Sequence, residues 1–525
     1  MEMDLNLFPW RFVSFVGFIL MAILVNILVK IWWTPLCTQK FLRNQGIDGP
    51  PYKLLYGSTQ ELLETKKRAK STSMEFMPHD IVHQIVPHIH VWAQLYGRIF
   101  VYWLGTQARI VLHDPEMMKQ ILSNKFGHYE KPDPNFQLKR LFGLYGLASS
   151  SGEKWAHQRR LLNPAFHLDS LKSMVPVMAS STGRMLEKWE NAIADGVKEI
   201  EVSNDFRCLT ADVIARTAFG TSFEQGKHIF HMLAELTILA GKSFGKMSFL
   251  GSRFLPTPSN LRSKKLDMAI QKSLRELILN RKKNVEMGKN DSYGMDLLGL
   301  MMNAYKDEVK GKSNFVSLSL QHMVDECKTF FTAGSETTAT LLTWTLILLG
   351  MHTDWQDAAR EEVLHTFKRD TPNFDSMARL KLVNMILFEV LRLYPPIVGL
   401  SRRTCKKMQL GSLTVPAGVE LVLPTITVNH DEELWGKDAK EFNPHRFSQG
   451  ISKASTHPAA FTTFGFGPRT CIGQNFALIE AKVMLTMILQ RFSFSVSPTY
   501  IHSPALIFTV LPLHGAQIIF QQLPN

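Results

Sequence analysis

The sequence predicts a mainly α-helical body with small β-sheets, preceded by one N-terminal transmembrane helix. Three observations predict it. Residues 12–29 form an 18-residue stretch without a charge. Beyond Tyr52, long segments repeat their apolar residues at helical spacing. Strand-like runs are few and short.

The apolar stretch has Ser14 and Asn26 as its clearly polar members and continues past Lys30 into Ile31, Trp32 and Trp33. As helix, residues 12–33 rise roughly 33 Å, enough to cross bilayer hydrocarbon. Lys30 can snorkel, and the Trp pair suits an interface. A cleaved signal peptide has an apolar core of about 7–15 residues ending in small side chains, whereas this one ends in bulky Ile-Trp-Trp, so residues 1–33 read as a retained anchor. Arg11 is the basic residue on its N-terminal side, against Lys30, Lys40, Arg43 and Lys53 after it, which places the body in the cytosol. Residues 34–51 read as a linker with a proline hinge, because Pro50 and Pro51 fix φ and remove two donors.

Residues 52–525 show no repeat, no low-complexity block and no second hinge, and read as one domain. Helices are expected at 262–284, 318–350 and 380–393. Hairpins are expected where 99–104 meets 109–112 around Gly105-Thr106, and where 505–510 meets 517–520. The chain has 525 residues, 45% of them hydrophobic, with 34 Phe, so it can bury a large core; disorder and collagen-like repetition are excluded. Cys37, Cys208, Cys327, Cys405 and Cys471 are odd in number and far apart, which fits a reducing compartment. Lys+Arg exceed Asp+Glu by 59 to 46. The basic run 262–283 reads as a solvated helix face rather than a nucleic-acid site, and the excess positive charge suits lipid headgroups and an acidic electron donor. His79, His83, His88 and His90 lack a clear third metal ligand, and Pro87 interrupts them. Asn290-Asp291-Ser292 is a glycosylation sequon that a cytosolic body leaves unmodified.

The decisive motif is Phe464-Gly465-Phe466-Gly467-Pro468-Arg469-Thr470-Cys471-Ile472-Gly473. A thiolate ligand needs a lowered pKa, and the helix expected just after Cys471 offers a positive N-terminus. Gly467 and Gly473 lack a Cβ, so the loop can approach a flat macrocycle. Arg469 can reach a haem propionate, and Phe464 can shield the sulfur from water. An ordinary buried thiol would not need this joint spacing.

With these residues the chain resembles the cytochrome P-450 family of haem-thiolate monooxygenases. Further motifs agree. Ala333-Gly334-Ser335-Glu336-Thr337-Thr338 resembles the family's acid–alcohol motif, placed in an apolar helix over the distal haem face; a Thr hydroxyl bonding the carbonyl four residues back can loosen that helix into a groove. Glu389-x-x-Arg392 and Arg446 resemble the family's structural triad, with His445 standing where the usual residue is Glu. Trp155-x-x-x-Arg159 puts an indole and a guanidinium on one helix face suited to a propionate. Arg402 corresponds to the strand arginine at the other propionate edge. Arg403 is its neighbour, and only one of the two can face the haem.

The resemblance implies a P-450 fold, heme b with Cys471 as axial ligand, and Trp155, Arg159, Arg402, Phe464, Arg469 and Gly473 around it. It implies Glu336 and Thr337 as the catalytic proton-delivery pair. No G-x-G-x-x-G is present, so electrons come from a partner, NADPH-cytochrome P-450 reductase, with dioxygen and a small lipophilic substrate as co-reactants and membrane lipid as the anchoring phase. The implied location is the endoplasmic reticulum membrane, with the catalytic domain facing the cytosol. Leu162-Asn163-Pro164-Ala165-Phe166-His167, Phe254-Leu255-Pro256-Thr257 and Gln474-Asn475-Phe476-Ala477 resemble the plant clan that includes brassinosteroid-inactivating, gibberellin-modifying and cytokinin hydroxylases. By analogy, 143–147, 397–400 and 511–513 line an apolar pocket for a terpenoid, steroid or hormone-like molecule. A peroxide-rearranging isomerase or lyase, or a non-enzymatic haem protein, would have no use for the acid–alcohol pair.

Overall fold

A computed structural model describes residues 7–71, 79–124, 127–221, 223–243, 255–289, 291–294, 296–309 and 319–524. Asn290 lies outside the described residues. The N-terminal helix Leu7–Leu28 passes through a π-helical turn, Val29–Trp33, into the helix Thr34–Arg43. Pro35 has no N–H, so the Ile31 carbonyl one turn back loses its helical partner, and the Tyr52 phenol donates to it instead. Within this run, 12–43 is long and apolar enough to cross a membrane, and its apolar window is unburied.

The segment expected as a linker is different in kind. Its first part is helix, and the remainder is docked on the body. Gln45 donates to the Thr414 carbonyl at 3.0 Å and accepts the Thr414 N–H at 2.7 Å, while the Val101 N–H reaches the Asp48 carbonyl at 2.9 Å. A Cβ on Gly49 would sit 1.8 Å from the Val101 carbonyl oxygen, so only glycine lets the backbones meet. Burial of Leu42 and Ile47 supplies the apolar part of the attachment.

The body is mostly helical. The three expected helices occur as Pro258–Glu286, Leu320–Met351 and Lys381–Leu393. Leu320–Met351, the central helix, starts from a capping box in which Ser319 and His322 satisfy each other's backbone N–H groups. Its second half is covered on every face, so its buried threonines turn their hydroxyls onto the helix's own carbonyls, Thr343 to Ala339 and Thr345 to Leu341 at 2.7 Å each. There Trp344 stacks on Tyr394 with ring centroids 4.1 Å apart and donates to the Val510 carbonyl at 2.7 Å.

A five-stranded sheet runs Ile99–Leu104, Gln107–Leu112, Glu420–Leu423, Leu400–Thr404, Tyr129–Glu130. The first two strands form the hairpin expected around Gly105, with Ile99 opposite Leu112. The second expected hairpin is wrong. Pro504–Leu506 instead pairs with Val510–Pro512 as its own tight hairpin, and Gln517–Gln522 lies between Glu199–Glu201 and Phe492–Val496 in a three-stranded sheet. Alternating apolar runs reveal strands, but not which partners long-range packing selects.

The buried pair Glu389–Arg392 fixes the irregular segment leading to the Cys471 loop. Both side chains are 0% exposed and bond at 2.7 and 2.8 Å. Arg392 also donates to the carbonyls of Asn429, Ala439 and Glu441, and Arg446 approaches Glu389 at 3.6 Å. His445 packs edge-on against Trp355 rather than replacing a carboxylate contact. Among the described residues no cluster of three or more metal-ligating side chains occurs. His79 instead joins Tyr394 at 3.0 Å and His352 at 3.3 Å, and Tyr394 joins His502 at 3.2 Å.

Burial holds His79 down at about 3, with His352 adding to the effect, and burial holds His502 at about 4. Both values lie below the ordinary 6.5, so between them the unfolded chain binds more protons than the native one. Stability is therefore full above about pH 6.5 and falls as pH drops toward 4. The denaturation midpoint should be lower at about pH 5 than at about pH 7, and less so in His502→Gln. An acid loss as large in that variant as in the wild type would contradict the assignment.

Candidate active site

Cys471 lies deep in the molecule yet keeps accessible surface, which places it on the wall of an internal cleft. It precedes the helix Gln474–Arg491, whose N-cap is Gly473, and its N–H bonds the Phe464 carbonyl at 2.8 Å. Two glycines shape the loop: Gly465 has φ 79° and Gly467 has φ 70°, and a Cβ on Gly467 would be 2.5 Å from the Leu122 carbonyl oxygen. Burial pushes the Cys471 thiol up, while the Gly473 N–H, Arg159 and Lys131 pull it down. Burial prevails, so in the chain alone the thiol stays above its ordinary value and the lowering expected from the helix N-terminus is not reached; the three opposing groups are those that favour a thiolate.

The cations near this loop converge. Arg159, on the helix Gly152–Leu162, donates to the Thr470 carbonyl at 2.8 Å and to Asn163 at 2.9 Å. Trp155, one turn earlier, lies with its ring 4.3 Å from the Arg469 guanidinium carbon, a cation–π contact. Arg469 donates to the Ser150 carbonyl at 3.1 Å and leaves its second terminal nitrogen buried and unpartnered. Arg402 is buried, donating to the Ser401 carbonyl, whereas Arg403 turns outward to Asp133 at 3.1 Å. Strand alternation separates these neighbours.

Lys131 joins the group and was not found from the sequence. Burial, and then Arg469 and Arg402, push it down to about 7, with Cys471 pulling the other way. Burial likewise lowers Arg402 and Arg469 to about 10 each, the latter helped down by Arg402. A single lysine before Pro132 belongs to no periodic pattern, so only the folded chain reveals its neighbours.

Across the fold, the central helix packs against the Gln474–Arg491 helix. Ala333 is exposed although Thr332 and Thr338 near it are buried, so the cleft opens there too. Thr337 donates to the Ala333 carbonyl at 2.7 Å, yet the helix runs unbroken through this point. The loosening expected from that hydroxyl is therefore absent from the backbone ladder. Glu336 accepts from Thr509 at 3.3 Å and lies 3.8 Å from Arg207, two partners that sequence spacing did not disclose.

Among the described residues Lys131, Arg402 and Arg469 make no salt bridge with a protein carboxylate, and Glu130 pulls Arg469 up by less than Arg402 pushes it down, so much of the repulsion remains. A flat group with two carboxylates answers that charge. A Cβ on Gly473 would meet Phe166 at an ordinary 3.9 Å, so protein packing does not demand glycine there and the backbone leaves room for a ring face. These features fit a haem.

A cysteine loop ringed by basic side chains, in a helical fold whose central helix carries an acid and an alcohol, suits an oxidoreductase of the haem-thiolate class. The cytochrome P450 family model matches residues 75–518, and the chain belongs to that family. It is 44% identical over 525 residues to cytochrome P450 CYP749A22 of Panax ginseng, covering 99% of this chain and 98% of that protein. It is 42% identical over 513 residues to cytochrome P450 734A1 of Arabidopsis thaliana, covering 97% and 96%. In fold it is similar to the retinoic acid-bound cyanobacterial CYP120A1, with a TM-score of 0.73 at 22% identity, covering 85% of this chain and 98% of that one. Members of the family are monooxygenases with haem iron on a cysteine thiolate.

If the inward guanidinium is the one that meets the haem carboxylates, Arg402→Leu should lower the haem retained per chain several-fold after gel filtration. Arg403→Leu should leave it unchanged. The ratio of Soret to protein absorbance measures both, and equal losses would contradict the assignment.

Proposed function

We propose that this chain is a haem-thiolate monooxygenase anchored in the endoplasmic reticulum membrane by residues 1–33, with its catalytic domain, 52–525, in the cytosol. It hydroxylates a lipophilic small molecule of terpenoid, steroid or hormone-like kind, with electrons from NADPH-cytochrome P-450 reductase. The observation that carries this reading is the Glu336–Thr337 pair, held at a local opening in an otherwise buried helix. A non-redox haem protein has no need of it.

In this reading Cys471 is the axial ligand of a heme b, and Lys131, Arg159, Arg402 and Arg469 meet its propionates. The bound haem supplies dioxygen activation, with electron donation from the thiolate. Gly473 gives the ring face room, and Phe464, half-buried beside Cys471, limits water at the sulfur. The Trp155 ring holds the Arg469 guanidinium in place by its cation–π contact.

The distal residues handle protons. Thr337 spends its hydroxyl hydrogen on the Ala333 carbonyl, so its lone pairs face the cleft and accept from a water or hydroxyl there. Glu336 is held by Thr509 on one side and Arg207 on the other, and the Arg207 side chain is 41% exposed. Glu336 therefore stands between solvent and the Thr337 hydroxyl, where a carboxyl can pick up a proton outside and release it inside. Residues 143–147, 397–400 and 511–513, assigned to the pocket by analogy, are largely apolar and favour substrates with little charge.

Incubation of full-length protein in microsomes with a terpenoid and plant-hormone panel, with and without NADPH and reductase, tests the reaction class; product formed without NADPH would overturn it. Thr337→Ala tests the relay. Removing one hydroxyl should cost no more than about 1–2 kcal/mol of stability. The variant should still consume NADPH while product falls and hydrogen peroxide rises. An unchanged ratio of product to NADPH would remove Thr337 from the relay.

A further inference from the structure

The loop 143–150 is bound at both ends to walls of the cleft. At its start, Asp325 accepts the N–H groups of Leu144 at 2.9 Å and Tyr145 at 3.1 Å through one oxygen, while its other oxygen takes the Gln321 amide at 2.8 Å. Glu326 accepts the Leu147 N–H at 3.0 Å from each oxygen. The two carboxylates are 2% and 1% exposed, on the central helix. At the far end Lys131 donates to the Ala148 carbonyl at 3.0 Å and Arg469 to that of Ser150. The loop thus spans from the central helix to the basic residues around Cys471.

Its glycines are fitted to the carboxylates. A Cβ on Gly143, at φ 74°, would lie 2.0 Å from the Asp325 carboxyl carbon, and one on Gly146 would lie 2.6 Å from the Thr329 hydroxyl. Glu326 precedes Thr337 by three helical turns, so the two share a face of the helix about 16 Å apart. The loop therefore closes the same side of the cleft that Thr337 opens onto.

We propose that Asp325 and Glu326 are positioning residues that clamp the loop 143–150 against the central helix as a fixed wall, and that this wall limits the bulk of molecules admitted beside Cys471. Burial pushes Glu326 up to about 8, with Asp325 adding to the effect, and two acidic groups buried side by side are a costly way to hold three amides unless the loop must stay in one place. The inference deepens the monooxygenase reading, since it concerns access to the same cleft. Its tests need no substrate, dioxygen or reductase, so they can fail while that reading stands.

Hydrogen exchange on the full-length haem-loaded protein reads the clamp. In Asp325→Ala and Glu326→Ala, amides 144–147 should exchange about tenfold faster or more, with Asp325→Asn and Glu326→Gln in between. Gly143→Ala attacks the contact from the loop side and should do the same. Soret titration reads the wall, with imidazole as the small probe and clotrimazole as the bulky one. Imidazole affinity should stay within about twofold, while clotrimazole should bind about tenfold tighter in the Ala variants. Unchanged exchange in folded Ala variants and in Gly143→Ala would overturn the clamp. Faster exchange with an unchanged ratio of the two affinities would overturn the role in selection.

Discussion

The Glu389–Arg392 ion pair is the constraint on which the rest depends. Burying two charges costs several kcal/mol each unless every donor and acceptor finds a partner. Here Arg392 is surrounded: Glu389 takes two of its N–H groups, and three backbone carbonyls from 429–441 take the others. The remaining Glu389 capacity goes to the Asn443 N–H at 3.0 Å. An irregular segment with no ladder of its own is thereby pinned to the helix Lys381–Leu393. Thr463, at the start of the Cys471 loop, donates to the Leu391 carbonyl of the same helix. The thiol's position is inherited from a pair of charges that never touches it.

A second tension lies at the cleft itself. Arg402 and Arg469 stand close enough to depress Lys131, and Arg402 to depress Arg469, and Glu130 offsets only part of the effect on Arg469. Such an arrangement is unfavourable in the chain alone and favourable once an anion enters, which is how a binding site stores selectivity for charge. Backbone carbonyls meanwhile hold the side chains in place, so Arg469 and Lys131 also tie the 143–150 loop. Charge recognition on one side of the cleft and shape on the other share the same two residues.

Much of this was legible in the sequence where chemistry is local. The Cys471 loop can be read because its glycines and cysteine sit within ten residues, each with a backbone or electronic reason for its identity. The central helix can be read because its apolar run is too long for any strand. What could not be read depends on partners far apart in the chain. Arg207 meets Glu336 from another helix, Lys131 meets Arg402 across a sheet edge, and Gln517–Gln522 chooses strands from 199 and 492 over its nearer neighbour. The choice between Arg402 and Arg403 follows from the register of their strand, which alternation in so short a run does not reveal.

The measurement that bears most directly on Cys471 as the axial ligand is the absorbance of the reduced, carbon monoxide-treated protein beside Cys471→His. Wild-type protein should show the long-wavelength Soret band that thiolate donation produces. The Cys471→His protein should lose it. The same band in both would mean that another residue holds the iron.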